Sequence, residues 1–155
     1  MSRKLTAIVV ALLVAAVSVT TALATPALGG FVSTVLARGT FTTPIDANAD
    51  GVKLRTHGHI DHAVSRIDIP PGGSSGWHRH PGVVLVTVQS GTLTRYDSEC
   101  NRDEFTAGQS FWEAGLNPLV VRNETHGEVI NYVTFIVPTG AALRIDSPNP
   151  GCAVE

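Results

Sequence analysis

The chain of 155 residues has little of what builds helical or nucleic-acid-binding proteins. Only 15% of its residues are charged and 6% are aromatic, and the basic residues nowhere form a run. Beyond the first 24 residues, no apolar segment repeats with the ~3.6-residue period of an amphipathic helix. The formal net charge is −2, and removing Arg3 and Lys4 makes it −2 − 2 = −4. We therefore predict no nucleic-acid partner.

Short β-like segments separated by turn residues make up most of the chain. They cover residues 52–54, 60–69, 83–89, 91–97, 109–113, 119–123 and 128–137. Glycine, proline and asparagine separate them at intervals of about ten residues, which is typical of an all-β sandwich or barrel. Because Ser90-Gly91 has the composition of a hairpin turn, we expect segments 83–89 and 91–97 to pair. The polar residues 97–106 are expected to form a loop.

The first 24 residues have the pattern of a secretory signal peptide. Arg3 and Lys4 precede an uncharged segment, and a small-x-small pattern ends at Ala24. Cleavage after Ala24 predicts a secreted or extracytoplasmic protein of the bacterial cell envelope, with no membrane span left. The alternative is an uncleaved anchor, because no charge occurs between Leu5 and Arg38.

Cysteine is limited to two residues, Cys100 and Cys152. In an exported chain an even pair is more often bridged than free, so we predict one disulfide bond. It would hold the C-terminal tail against the segment at 97–106. Two unpaired thiols are the alternative, because a sequence does not show how close two residues lie in space.

The stretch at 72–91 carries the most specific chemical pattern, GGSSGWHRHPGVVLVTVQSG. Its two histidines, His78 and His80, are two positions apart, so in a strand both side chains point to the same face. In this way a β-barrel offers two nitrogen ligands to a divalent metal ion. The alternative is a pair of hydrogen-bonded histidines at the mouth of a barrel, without a metal.

The same stretch resembles the first motif of the cupin superfamily, G-x5-H-x-H-x3-E-x6-G. Gly72, His78, His80 and Gly91 are in register with that motif, but Val84 stands where the motif has its glutamate. A typical cupin metal is held by three histidines and one glutamate. The resemblance therefore implies a metal-ligand set that is incomplete in this chain.

A second cupin motif, G-x5-P-x-G-x2-H-x3-N, is similar to the segment from Gly108 to Asn123 in a shortened form. Leu119 occupies the position of its histidine. The resemblance covers roughly residues 35–152 and implies a single cupin-type β-barrel (a double-stranded β-helix, or jelly roll) of the small exported bacterial kind. It also implies a homodimer, because cupin-like barrels often pair through edge strands.

We divide the chain accordingly into three parts. Residues 1–24 are the predicted signal peptide, residues 25–50 an N-terminal arm or edge strand, and residues 51–155 the cupin-like barrel. The segment at 46–51 has a superficial likeness to a calcium loop but lacks the downstream glutamate, so we interpret it as a turn.

Other side chains are candidates for completing or lining the site. His62 lies just before the first motif and Glu113 on the first strand of the second, so each is placed to add a metal ligand to His78 and His80. The candidate walls of a ligand pocket are Trp77, Tyr96 and Trp112.

Two main functions of different classes follow, and a purely structural or envelope-interaction role is a third alternative. The first is an exported cupin-domain protein that binds a small polar molecule in the barrel, with one weakly held divalent metal ion. The second is a metal-dependent cupin enzyme of the dioxygenase or isomerase type, with His78 and His80 as metal ligands and Arg95, Tyr96 or Glu113 as proton carriers. The apolar residues at positions 84 and 119 favour the first hypothesis.

Overall fold

The fold consists of strands and turns, and the computed structural model describes residues 23–154. Twelve strands and no helix occur in that part of the chain. They are β1 (Val32–Phe41), β2 (Asp46–Ala49), β3 (Val52–Arg55), β4 (Ile60–Ile69), β5 (His78–Arg79), β6 (Val83–Ser90), β7 (Thr92–Tyr96), β8 (Arg102–Thr106), β9 (Ser110–Ala114), β10 (Val120–Arg122), β11 (Val129–Pro138) and β12 (Ile145–Asp146). The all-β class predicted from the missing helical period is confirmed.

The signal peptide predicted at 1–24 lies, up to residue 22, outside the described residues. Between residues 23 and 154 there is no helix long and apolar enough to cross a membrane. The N-terminal part from residue 25 contributes β1, which is an edge strand, and one strand of the β2–β3 hairpin.

Two antiparallel sheets enclose the core. The larger sheet has five strands in the order β1-β4-β11-β6-β9, and the smaller contains β10-β7-β8. Reciprocal backbone hydrogen bonds between His78 and Leu119, 2.9 and 2.8 Å long, attach β5 and its partner β12 beside β10. The chain passes repeatedly from one sheet to the other, which is the arrangement of a jelly roll.

Side chains from both sheets meet in one apolar core. Buried and exposed residues alternate along β6, where Val84, Val86 and Val88 point inward. They belong to the same cluster as Phe135 from β11 and Leu93 from the smaller sheet. Burial of one such side chain contributes about 1.5–3 kcal/mol.

The predicted hairpin between segments 83–89 and 91–97 is wrong. β6 pairs with β11 and β9, whereas β7 pairs with β10 and β8 in the other sheet. Gly91 has a φ of 80°, and a Cβ there would be 2.7 Å from the carbonyl oxygen of Glu128. The chain therefore crosses between sheets at a position that only glycine fits. Part of the predicted loop at 97–106 is also a strand, β8.

Asp61 fastens the edge strand β1 to the body of the larger sheet. Its carboxylate accepts hydrogen bonds from the Thr40 hydroxyl at 2.7 Å, from Arg38 Nη2 at 2.6 Å and from the Gly140 amide at 3.1 Å. The Thr40 hydroxyl, the Gly140 amide and Arg38 together lower the pKa of Asp61 to about 2. The ionised carboxylate is therefore the form that stabilises this edge.

The C-terminal tail is held by the disulfide bond expected from the sequence. Cys100 and Cys152 are bonded, with their Cα atoms 5.5 Å apart. Asn149 donates to the Val154 carbonyl at 2.7 Å, and that carbonyl also accepts the indole N–H of Trp77 at 3.1 Å. The tail consequently covers Trp77, which directly precedes the first motif histidine.

Replacing both cysteines by serine is expected to lower the free energy of unfolding by about 4 kcal/mol, because the bond links residues 52 positions apart. Urea unfolding of the variant and of the natural chain measures the difference. The natural chain treated with dithiothreitol should match the variant. Equal midpoints for the oxidised chain and the variant would contradict the expectation.

Asp61→Asn is expected to flatten the acid limb of the stability curve. A carboxylate whose pKa is lowered on folding contributes stability above its unfolded pKa of about 4, and that contribution is lost as the pH falls toward 2. Thermal unfolding between pH 2 and 6 measures it. The control is Asp46→Asn, which breaks only an exposed ion pair on the β2–β3 hairpin. Parallel curves for the natural chain and Asp61→Asn would contradict the prediction.

Candidate metal centre

The two motif histidines lie side by side inside the barrel. His78 is the first residue of β5 and His80 follows on the same face, so that their ring centroids are 4.9 Å apart. Their exposed fractions are only 5% and 4%. The Phe135 ring lies 5.8 Å from that of His80 and closes one side of the pair.

Both imidazoles are oriented by backbone carbonyl groups. Nδ1 of His78 lies 2.9 Å from the carbonyl oxygen of Gly76, and Nδ1 of His80 lies 2.6 Å from that of Leu143. A carbonyl can only accept a hydrogen bond, so in each ring the proton is on Nδ1. This is the arrangement that metal-binding histidines commonly have, and it leaves Nε2 of both rings free as a lone-pair donor.

A buried carboxylate completes the cluster. Glu113 on β9 is paired across the sheet with Val84 on β6, the position where the first cupin motif has its glutamate. Its Oε2 lies 3.0 Å from Nε2 of His80, and the two side chains are 4% and 5% exposed. The carboxylate missing from one strand is thus supplied by the neighbouring strand, directly opposite.

The electrostatic environment keeps His78 neutral. Burial lowers the pKa of His78 to about 4; the negative charge of Glu113 opposes that shift, whereas Arg144 and His80 add to it. Near neutral pH the ring therefore carries no charge, and its Nε2 can bind a cation.

These three residues fit a divalent metal ion. Their ligand atoms all lie within 4.8 Å of one another. Nε2 of His80 and Oε2 of Glu113 are 3.0 Å apart, but with the imidazole proton on Nδ1 neither atom can donate, so this buried nitrogen has no hydrogen-bond partner. A separation of 3.0 Å is what two ligand atoms of one ion have when each is about 2.0–2.2 Å from the metal. Imidazole nitrogen and carboxylate oxygen together suit zinc, iron and manganese.

His62, the other candidate for a third ligand, is not brought to this centre. On β4 its neighbours Ala63 and Ser65 are buried, and alternation places His62 on the outer face of the sheet. There it lines a separate apolar cavity of about 200 Å³ together with Phe41 and Ile136.

The space inside the barrel is small. A cavity of about 40 Å³ borders the three ligands and is otherwise lined mainly by valine, leucine and phenylalanine side chains. A cavity of this size has room for only a few water molecules. Asn131 adds a buried amide oxygen without a hydrogen-bond partner among the described residues. A substrate-sized molecule does not fit in this interior as it stands.

A much larger groove lies outside the same centre. It has a volume of about 510 Å³ and runs along β9, with the loop at 97–99 and residues 117–119 around it. That volume is within the range of small-molecule sites. Phe111 and Glu113 of β9 border both the groove and the inner cavity.

The three aromatic residues considered as pocket walls have different positions. Trp112 is 66% exposed and lines the groove. Trp77 is fully buried in a second apolar cluster with Val120 and Cys152. Tyr96 packs against that cluster, and its hydroxyl donates to a carboxylate oxygen of Glu124 at 2.8 Å. Neither Trp77 nor Tyr96 lines the groove or the inner cavity.

Leu119, at the position of the second motif's histidine, pairs with His78 through its backbone. Its side chain packs against the core and lines the groove. The fourth cupin ligand position is therefore occupied by an apolar group, and the described residues contain one metal-ligand cluster, of three side chains.

Comparison with solved structures finds bacterial proteins that are similar to this chain. A conserved double-stranded β-helix protein from Klebsiella pneumoniae is 19% identical, with 68% of this chain and 84% of that chain covered and a TM-score of 0.50. A cupin 2 conserved barrel protein from Leptotrichia buccalis is 21% identical (68% and 40% covered, TM-score 0.49). A cupin domain from Bordetella pertussis is 24% identical (69% and 93% covered, TM-score 0.46).

The chain has the cupin fold, a double-stranded β-helix, as its sequence motifs predict. No protein-family model and no curated protein matches the sequence. Identities below a quarter establish the fold alone, so function has to be argued from the site.

Proposed function

We propose that this protein binds one divalent metal ion through Nε2 of His78, Nε2 of His80 and the carboxylate of Glu113, and uses it to act on a small molecule that enters from the groove. The observation that carries the proposal is the buried Glu113 carboxylate beside a buried histidine nitrogen that has no hydrogen-bond partner. Of the two functions considered from the sequence, this supports the metal-dependent enzyme.

The number of ligands favours a catalytic over a structural ion. Structural zinc sites have four protein ligands, whereas catalytic sites commonly have three and keep a position open. Here the cluster has three side chains, and valine and leucine stand at positions 84 and 119, where the cupin motifs have their other ligands. Two neutral imidazoles and one carboxylate leave a net charge of +1 on a bound dication.

The ligand types favour iron(II) and oxygenase-type chemistry. Two histidines and one carboxylate with open positions are the ligand set of non-haem iron(II) oxygenases. Such an ion supplies Lewis acidity and open positions for dioxygen or substrate. In this chain, the carbonyls of Gly76 and Leu143 orient the imidazoles, and the surrounding apolar side chains limit access of water.

Metal analysis of variants at Glu113 tests the centre. The natural chain, produced without an affinity tag and dialysed, should retain close to one equivalent of metal. Glu113→Gln keeps the side-chain volume but removes the anionic ligand, and should weaken the binding by at least about 100-fold, or about 2.7 kcal/mol. Elemental analysis measures the metal that is retained. Isothermal titration with zinc, and with iron(II) under anaerobic conditions, measures the affinity of the natural chain and of the variant.

A second variant makes this test specific. Because Val84 lies directly opposite residue 113, adding Val84→Glu to Glu113→Gln should restore much of the metal affinity. The control Glu104→Gln changes an exposed carboxylate on β8 and should leave affinity unchanged. Circular dichroism checks that every variant is folded. A natural chain that binds neither ion, or a Glu113→Gln variant that binds as tightly, would overturn the proposal.

We also propose that the protein works outside the cytoplasm. The disulfide is compatible with an oxidising compartment, and the basic and apolar start of the sequence supports export. Mass spectrometry of the exported protein should give an N-terminus at Thr25 and a mass two hydrogens below that of the dithiol. A full-length cytoplasmic product with two alkylatable thiols would contradict both expectations.

A further inference from the structure

The charges around the groove are unevenly compensated. Its lining contains three carboxylates and a single cation. Glu113 belongs to the metal centre, which leaves Asp97 and Glu99 on the loop at the rim. Among the described residues, neither has a cation within ion-pair distance, whereas the one cation, Arg95, is bound to Asp103 outside the lining at 2.5 Å. The rim is therefore net negative.

Asp97 is held as a fixed anion. One of its oxygens accepts the backbone amides of Glu99 and Asn101, and the other accepts the side-chain amide of Asn101, each at 2.9 Å. Burial raises the pKa of Asp97, but the hydrogen bonds from Asn101 and Glu99, together with the positive charge of Arg95, outweigh it, so the pKa is lowered. The hydrogen-bond donors are neutral, and Arg95 offsets only part of the carboxylate charge because its ion pair is with Asp103.

Arg95 is not available to bind an anion. Its guanidinium lies over the rings of Phe105 and Phe111, with centroid distances of 5.5 and 5.3 Å, in addition to its ion pair with Asp103. One further nitrogen approaches the Trp112 carbonyl at 3.4 Å. This cation is part of the wall of the groove.

An aromatic surface remains open beside the acidic rim. Trp112 is 66% exposed, and among the described residues no cation lies over its ring, unlike those of Phe105 and Phe111. Leu119 and Pro118 also line the groove. An indole face in the same groove as two carboxylates that have no ion-pair partner favours an organic cation, which gains from cation–π contact and from the negative rim.

The floor of the groove borders the proposed metal centre. Glu113 is more than nine-tenths buried, lies 3.0 Å from His80, and lines the groove as well as the inner cavity. A molecule held at Trp112 and the rim would therefore lie beside the metal centre.

We propose that the groove binds a small organic amine in its protonated form, with an apolar or aromatic part against Trp112 and the ammonium group toward Asp97 and Glu99. This names the substrate class of the proposed enzyme and so rests on the proposed function. Asp97, Glu99 and Trp112 are not among the proposed metal ligands, so binding in the groove can be measured separately from metal binding.

The two tryptophans make the test specific. Benzylamine, benzyl alcohol and benzoate share a ring and differ in charge, and each is titrated into ¹⁵N-labelled, metal-free protein while the two indole N–H signals are recorded. Trp77 is fully buried and bonded to the tail, so its signal is an internal control. Benzylamine should shift the Trp112 signal and bind at least about threefold more tightly than benzyl alcohol, and benzoate should bind weakest. Added salt should remove most of the difference.

Charge variants at the rim give the matched comparison. Glu99→Gln with Asp97→Asn should remove the preference for benzylamine over benzyl alcohol, while Glu104→Gln should retain it. The backbone amide signals of β7 and β8, the strands on either side of the loop, check that the fold around the rim is kept. Equal or tighter binding of benzoate or benzyl alcohol by the natural chain, or a preference for benzylamine that survives the double variant, would overturn the proposal.

The result is distinguishable from that of the metal experiments. Failure to bind metal together with a charge-selective Trp112 shift would overturn the proposed function and leave the amine site standing. Metal binding through Glu113 without charge selectivity would overturn only the amine proposal.

Discussion

The close approach of β6 to β11 is the constraint on which the site depends. Gly82, just before β6, lies so near β11 that a Cβ would be 2.1 Å from the carbonyl oxygen of Ile136. Only glycine allows this contact without a backbone shift. It fixes the register in which Val84 lies opposite Phe135 on one side and Glu113 on the other. Because side chains alternate between faces, a shift by one residue would turn Glu113 out of the barrel.

This register explains how an apparently incomplete cupin motif keeps a carboxylate. A cupin motif read along the chain requires its acidic ligand four positions after His80, and there this sequence has valine. The pairing of strands provides a second route, because directly opposite residues have Cβ atoms about 4.5–5.5 Å apart. A glutamate on β9 therefore reaches nearly the same space as a glutamate on β6. The carboxylate is therefore in nearly the position that the cupin motif predicts, although it comes from β9 and not from β6.

The sequence predicted those parts of the molecule that depend on local geometry. The shared face of His78 and His80 follows from the two-residue period of a strand, and the all-β class follows from the turn spacing. Glu113 could be included only as a candidate beside His62, since which strands become neighbours is decided by long-range packing. The wrong hairpin at Gly91 has the same cause: a turn-like pair predicts a change of direction but not the sheet that the chain enters.

The division of space around Glu113 bears on how such a centre would select its ligand. The inner cavity has room for only a few water molecules, so a substrate-sized molecule does not fit there as it stands. The groove has the volume, the exposed aromatic ring and the carboxylates of the rim. In the proposed enzyme, selection of a ligand would therefore fall to the groove, and reaction with small species to the interior. Glu113 borders both the groove and the inner cavity. A dication bound inside would neutralise the negative charge of Glu113. Asp97 and Glu99 would then remain as the anions that a molecule entering the groove meets.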